Sequence, residues 1–260
     1  MAQLEINKKF SFNNQQIKKF ARQLILEDFG WKKQSIIFKT HVTFVGLGGI
    51  NLPAIIYLLS IGIRKLTLID YDKVQWSNLN RQIIYSQNDI GKNKIDFVKK
   101  FIKRNYPKVK ILAYNKKINK KNHLKVFKKT DLIIDGTDNW ETMLIINDYC
   151  LNKSIPLLSA SVVGFDGNLI LFKNLRNNHL CLRCIFPNLK EPNIPRCETA
   201  GILGTTAGII GILSAHKIVD FLTNKKDSSK ITTLTYFDGQ KIEFKNIKVK
   251  KNPECIWLKK

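Results

Sequence analysis

The residues with the most chemistry to offer are two acids closing an apolar run (Asp70, Asp72), a polar cluster (Asn78, Arg81, Gln82), Lys94, and an acid–amide pair (Asp138, Asn139). The first acid follows Gly46-Leu47-Gly48-Gly49-Ile50-Asn51 by about twenty residues, the spacing of a phosphate-cradling turn and a ribose-binding carboxylate. Glycines let a backbone approach a polyphosphate, and N–H groups at the start of the next helix point at its charge. Together these residues supply backbone donors, two cations, a ribose acceptor and a carboxylate able to hold Mg²⁺ through its oxygens. That inventory fits a triphosphate better than a dinucleotide. An NAD-dependent oxidoreductase needs only the glycines and the first acid, and leaves Arg81, Lys94 and Asp138 without a task.

An open parallel sheet would bring these groups together, because its strand-end loops gather at one edge. Residues 42–45 and 66–69 read as strands around the glycine turn and its helix. Residues 13–29 have helical periodicity (Ile17, Phe20, Leu24, Ile25), carry Arg22, and are expected to stop at Gly30. Asp89 reads as the N-cap of a helix through Arg104 that holds Lys92 and Lys94. Strands are expected at 109–114, 131–135, 157–160 and 169–172, and helices at 121–128 and up to Lys153. A long Pro- and Asn-rich loop, 174–198, precedes an apolar helix at 200–215. Residues 231–237 and 241–249 alternate around Asp238-Gly239, a hairpin signal. The expected fold is α/β: a Rossmann-like, mostly parallel sheet flanked by helices, continuing into antiparallel strands in the C-terminal half.

Length and charge bound the rest. A chain of 260 residues suffices for one large α/β domain with ample core. Against 44 basic residues stand 20 acidic ones, leaving +24. The lysines are spread along the chain beside abundant Asn and Ile, and no helix shows a basic face interleaved with aromatics. Nucleic-acid binding as the main role is therefore not expected. Residues 1–12 lack the apolar centre of a secretory signal. The longest apolar run falls short of the roughly 20 residues that span a bilayer, so no membrane partner is expected. Five cysteines, an odd number, point to a reducing cytoplasm and to thiols used as ligands, nucleophiles or filler. Cys150 sits in an apolar helical pattern and reads as core.

The ordered set Arg22-Gln23, Gly46-Leu47-Gly48-Gly49, Leu68-Ile69-Asp70, Ser77-Asn78-Leu79-Asn80-Arg81-Gln82, Gly91-x-x-Lys94, Asp135-Gly136-Thr137-Asp138-Asn139, Cys181-Leu182-Arg183-Cys184 and Cys197-Glu198-Thr199-Ala200-Gly201 resembles the ThiF/MoeB/HesA family of ubiquitin-activating-enzyme-like adenylyltransferases. The likeness runs from about residue 15 to 255. It implies one adenylyltransferase domain over 1–260: an N-terminal helical segment (1–40), a nucleotide-binding half (41–160) and a carrier-binding antiparallel half (161–260). It also implies attack of a carrier protein's C-terminal glycine carboxylate on the α-phosphate of ATP, with loss of pyrophosphate. By resemblance Asp70 holds the ribose, Asn78, Arg81 and Lys94 contact phosphates, and Asp138 positions Mg²⁺. Arg22 would reach the partner subunit's ATP, which implies a homodimer.

Cys181 and Cys184 have the spacing of half a tetrathiolate zinc site, which the family completes near the C-terminus. Here Cys255 stands in place, but the position three further on is Leu258. Either a water, His179 or another side chain fills the fourth position, or the metal is weak or absent. Cys197 corresponds to a cysteine that in related enzymes bonds covalently to the carrier, and its alternative is a small residue near a helix start. Two departures stand out: Asn51 replaces the last turn glycine, and Met143 replaces a common arginine. The first is expected to shift helix–strand packing modestly. Within the family, Ser159–Gly167 and Phe186–Pro192 look more like ThiF, which serves a ThiS-type carrier of thiazole (thiamine) synthesis. Asn252-Pro253-Glu254-Cys255 looks more like MoeB, which serves a MoaD-type carrier of molybdopterin synthesis. The ThiS-type carrier is the expected one, with sulfur supplied by a separate sulfurtransferase.

Overall fold

The computed structural model describes residues 12–173, 180–186, 200–224, 232–253 and 255. Eight strands form one sheet: β1 (His41–Val45), β2 (Lys65–Ile69), β3 (Lys110–Tyr114), β4 (Leu132–Asp135), β5 (Leu157–Val163), β6 (Asp166–Phe172), β7 (Thr232–Asp238) and β8 (Glu243–Val249). Their spatial order is β3-β2-β1-β4-β5-β6-β7-β8. Pairing is parallel from β3 through β5 and antiparallel from β5 through β8. The mixed α/β architecture expected from the sequence is the one found.

The register decides where the chemistry goes. Val45 pairs with both Ile69 and Asp135, so the chain leaves three adjacent strands at the same level. Gly46, Asp70 and Gly136 therefore emerge side by side. The central strands are apolar on both faces because helices cover both, as parallel sheets require. On one face pack α2 (Gly30–Lys39), α3 (Asn51–Ile61), α4 (Lys94–Asn105) and α8 (Gly204–Thr223), around Phe44, Leu58, Leu68 and Ile210. On the other lie α5 (His123–Val126), α6 (Trp140–Lys153) and the one-turn α7 (Leu182–Ile185), around Phe127, Ile146, Leu157 and Phe172. Among the described helices α8 alone is long and apolar enough to cross a membrane, yet it packs against α3, β5 and β6.

Three local expectations need correction. α1 (Asn14–Leu24) starts where expected, with Asn13 accepting from the Gln16 amide in a capping box, but ends before Gly30. Gly30 instead opens α2, a helix the sequence reading missed. Asp89 does not cap α4; its carboxylate accepts from the Ser86 amide (3.0 Å) and hydroxyl (2.7 Å) of its own short turn, and α4 starts at Lys94. Third, β5 and β6 are longer than expected, seven residues each, and α5 is shorter. Loop residues 174–179 and 187–198, Cys197 among them, lie outside the described residues.

Gln23 of the Arg22-Gln23 pair has a structural task. Its amide and that of Gln34 donate to the Ile61 carbonyl at 3.0 and 2.9 Å, and Gln23 also bonds Gln34. This ties α1 and α2 to the C-terminus of α3, satisfying a carbonyl that the helix end leaves orphaned. Arg22 is exposed.

Candidate active site

A cavity of about 580 Å³ opens along the sheet's carboxyl edge, beside the glycine turn. Gly46 takes φ +82°, and a Cβ there would lie 2.9 Å from the Gly136 carbonyl oxygen, so the turn admits no side chain. The Leu47 amide donates to Asp70 Oδ2 at 2.6 Å and the Asp72 amide to Asp70 Oδ1 at 2.7 Å. Burial raises the pKa of Asp70, opposed by the nearby Lys94 charge and these two amides. Lys94, first residue of α4 and itself buried, sits 3.1 Å from Asp72 Oδ2. Asp72 is half exposed, so a bound anion can compete for the ammonium.

Arg81 lines the same cavity, tethered by Nη1 to the Ser77 carbonyl (2.6 Å) and to Asn80 Oδ1 (3.0 Å). A Cβ on Gly49 would come within 3.2 Å of Arg81 Cγ, so the turn lies directly against this arginine. Asn78 Oδ1 accepts from the Gln75 amide at 3.1 Å and shapes the local 3₁₀ turn. Gln82 is buried, and its Oε1 has no partner among the described residues.

Asp138, in the same lining, is exposed and accepts no hydrogen bond from the described residues. The helix-capping task falls to Asn139, whose Oδ1 accepts from the Thr142 amide and hydroxyl, both at 2.9 Å. Asp135 lies beneath, fully buried, accepting from the Thr137 amide (3.0 Å) and hydroxyl (2.7 Å). Burial pushes its pKa up to about 6, and the charge of Asp138 adds to the shift. An exposed carboxylate in a cavity that is also lined by Arg81 and Lys94 suits Mg²⁺ shared with phosphate oxygens.

Gly46, Gly48, Gly49, Asp70, Asp72, Asn78, Arg81, Gln82, Lys94, Asp138 and Asn139 all line this one cavity; Arg22 does not. Sequence reading missed Lys116, Lys117 and Trp140, which also line it. The lysines follow the end of β3, so the same strand-edge rule would have found them.

Asn51 explains how the turn tolerates its missing glycine. Its amide donates to the Val45 carbonyl at 3.0 Å and the Gly46 carbonyl at 2.8 Å, bracing the turn against α3. The space it fills is taken from Gly136, where a Cβ would fall 2.6 Å from Asn51 Nδ2. Gly136→Ala is therefore expected to destabilise the fold by about 1–3 kcal/mol through overpacking. In an Asn51→Gly background the same change should cost much less, which a double-mutant cycle of urea unfolding measures.

A second cluster lies behind α6. The sulfurs of Cys181, Cys184 and Cys255 all fall within 4.8 Å of one another, with Cys181 Sγ 4.0 Å from Cys184 Sγ and 3.8 Å from Cys255 Sγ. Tetrahedral zinc–thiolate bonds of about 2.3 Å place neighbouring sulfurs about 3.8 Å apart, so three corners fit. Hydrogen bonds from Cys181 and backbone amides hold the Cys184 thiol low, at about 5, so it favours the thiolate a metal needs. Cys181, bonded to it, is pushed the other way. His179 and Leu258 lie outside the described residues. The cluster is pinned to α6 by Asn147, which accepts from the Leu182 amide at 2.9 Å. Asp148 grips Arg183 through Nε (2.9 Å) and Nη2 (2.7 Å).

The ThiF family profile matches residues 20–256. A Xenopus laevis protein named adenylyltransferase and sulfurtransferase MOCS3 is 35% identical over 257 residues, covering 96% of this chain and 55% of that one. The chain thus spans about half the length of such relatives. The SAMP-activating enzyme E1 of Haloferax volcanii is 29% identical over 94% of this chain and 90% of its own. Among solved structures, E. coli MccB with MccA-N7isoASN superposes with a TM-score of 0.78 at 18% identity, covering 97% of this chain and 79% of that one. MccB with ATP gives 0.74, covering 90% and 75%. At this identity the structures speak to the shared fold.

Proposed function

The chain belongs to the ThiF family, and from that premise we propose that it is an adenylyltransferase that activates the C-terminal glycine of a ubiquitin-like sulfur carrier protein with ATP. The observation that carries this reading is the convergence of Arg81, Lys94 and Asp138 on one cavity with the glycine turn. The turn amides and Lys94 receive the phosphates, and Asp70 holds the ribose. Arg81 lies against the turn, where it offsets charge as a carboxylate approaches the α-phosphate. Mg²⁺, when bound at Asp138, supplies Lewis-acid neutralisation of the phosphate oxygens and of departing pyrophosphate. The groups meeting the phosphates and the attacking carboxylate are cations, donors and a metal-holding acid, as an anion–anion encounter requires.

The carrier proposed is ThiS-type, on the likeness of residues 159–167 and 186–192 to ThiF. A MoaD-type carrier is favoured by Asn252-Pro253-Glu254-Cys255, and Cys255 packs into the thiol cluster. Arg22 serving a second subunit's ATP in a homodimer, Cys197 as the carrier-linked thiol and a separate sulfurtransferase belong to the same reading. Incubating the chain with ATP, Mg²⁺ and each carrier in turn tests it. Mass spectrometry should find the ThiS-type carrier adenylated, and adenylation of only the MoaD type would overturn the ThiS assignment.

The three clustered thiols are proposed to hold one structural zinc. Native mass spectrometry is expected to find one zinc per chain, lost in Cys184→Ser. Chelation should lower the unfolding temperature, because the ion stabilises only the folded chain. A metal-free protein of unchanged stability would refute this.

A further inference from the structure

Basic residues occur throughout the chain, but acidic ones do not. Residues 97–130 hold twelve lysines, one arginine and no aspartate or glutamate, so this stretch carries +13 of the net +24. It builds one border of the molecule: the second half of α4, the edge strand β3, the loop after it and α5. Val98 and Ile102 bury in one core, and Ile118, Val126 and Phe127 in the other. The stretch therefore wraps round the β3 edge from one face of the sheet to the other.

Its cations have no counter-ions. All thirteen are exposed, and among the described residues none is ion-paired. Like charges gathered in this way repel and raise the free energy of the compact state, and an anionic partner relieves them. The edge is open to one. Among the described residues β3 has no strand on its outer side, and Leu112 at its centre is 50% exposed.

Shape and residue type select the anion. Lysine is depleted in protein–protein interfaces. A bilayer is flat and meets one side of a molecule, whereas these cations flank an edge on both sides. Unstacked bases need exposed aromatic platforms, and here Phe97, Phe101, Tyr106 and Tyr114 pack against the cores. A duplex backbone needs only the charges. The B-form major groove, about 12 Å wide, admits a β-ribbon between two walls of phosphate, while the major groove of duplex RNA is too narrow. The chain from Lys110 to Lys116 extends about 20 Å, a length of B-DNA that carries about twelve phosphate charges.

We propose that the β3 edge is a sequence-independent docking surface for duplex DNA, held through its phosphates by lysines of α4, β3 and the loop that follows. The surface is distinct from the adenylation site. Of the thirteen cations only Lys116 and Lys117 also line the nucleotide cavity.

Fluorescence anisotropy with a short labelled DNA duplex tests this on the full chain. Binding is expected to weaken about a thousandfold between about 50 and 200 mM salt, a log–log slope of about −5 for about six phosphates. Replacing Lys99, Lys103, Lys108 and Lys110 together by glutamine should weaken binding at least tenfold and reduce the slope by about 3. A control removes the same charge from the opposite end of the sheet, with glutamine at Lys241, Lys245, Lys248 and Lys250, and should leave both values nearly unchanged. Equal loss in the control would mean that net charge alone is read and would overturn the proposal. So would absence of DNA binding at the lower salt, or equally tight binding of an RNA duplex or a single strand. Tighter binding to vesicles of phosphatidylcholine and phosphatidylserine would assign the edge to a membrane surface and overturn it too.

Discussion

Asp138→Ala is expected to lower ATP–pyrophosphate exchange about a thousandfold while leaving the fold and ATP affinity nearly unchanged. The magnitude comes from charge. Two unit charges about 4 Å apart at an effective dielectric constant of about 20 repel by about 4 kcal/mol, which uncompensated is on the order of a thousandfold in rate. The specificity comes from geometry. Asp138 accepts no hydrogen bond from the described residues, and Asn139 is the residue that caps α6. Removing the acid therefore spares the helix start. The ground-state contacts, the turn amides and Lys94, are also untouched. An exchange rate near wild type would refute the role assigned to Asp138.

Arg81→Ala carries the second-largest expected effect, a loss of about two to three orders of magnitude in exchange. Its guanidinium is tethered through Nη1 to Ser77 and Asn80, so the charge is held in place before the reactants arrive. Such preorganisation costs no reorganisation during the reaction. Arg81→Lys should recover only part of the rate. A lysine keeps the charge but lacks the planar fork needed to hold the tether and face a phosphate together. Full rescue by lysine would mean that only the charge matters, and near-normal exchange in alanine would remove Arg81 from the site.

Much of this site was legible in the sequence for a simple reason. The βαβ unit has apolar strands closed by glycines and an acid, and register puts Gly46, Asp70 and Gly136 at one level. Where the reading failed, local chemistry had two uses. Gly30 looked like a helix stop because glycine is common there, yet its φ of +56° serves a reversal that opens α2. Asp89 looked like a cap and is one, but for its own turn. The short estimate for β5 and β6 is the most informative error. Ser159, Ser161 and Asn168 break the apolar alternation because their face lines the cavity and not the core. Strands that build a site lose the pattern by which strands are recognised. Asn51 is the reverse case: a departure from the glycine pattern whose partner, Gly136, lies far along the chain.

The claim beneath all of this is that positive side chains and a divalent ion offset the meeting of two anions beside a nucleotide. Pyrophosphate exchange by the unaltered chain tests it most directly. Label from pyrophosphate should enter ATP only when Mg²⁺ and a glycine-terminated carrier are both present. Exchange absent with both carrier types, or proceeding equally well without Mg²⁺, would contradict the account.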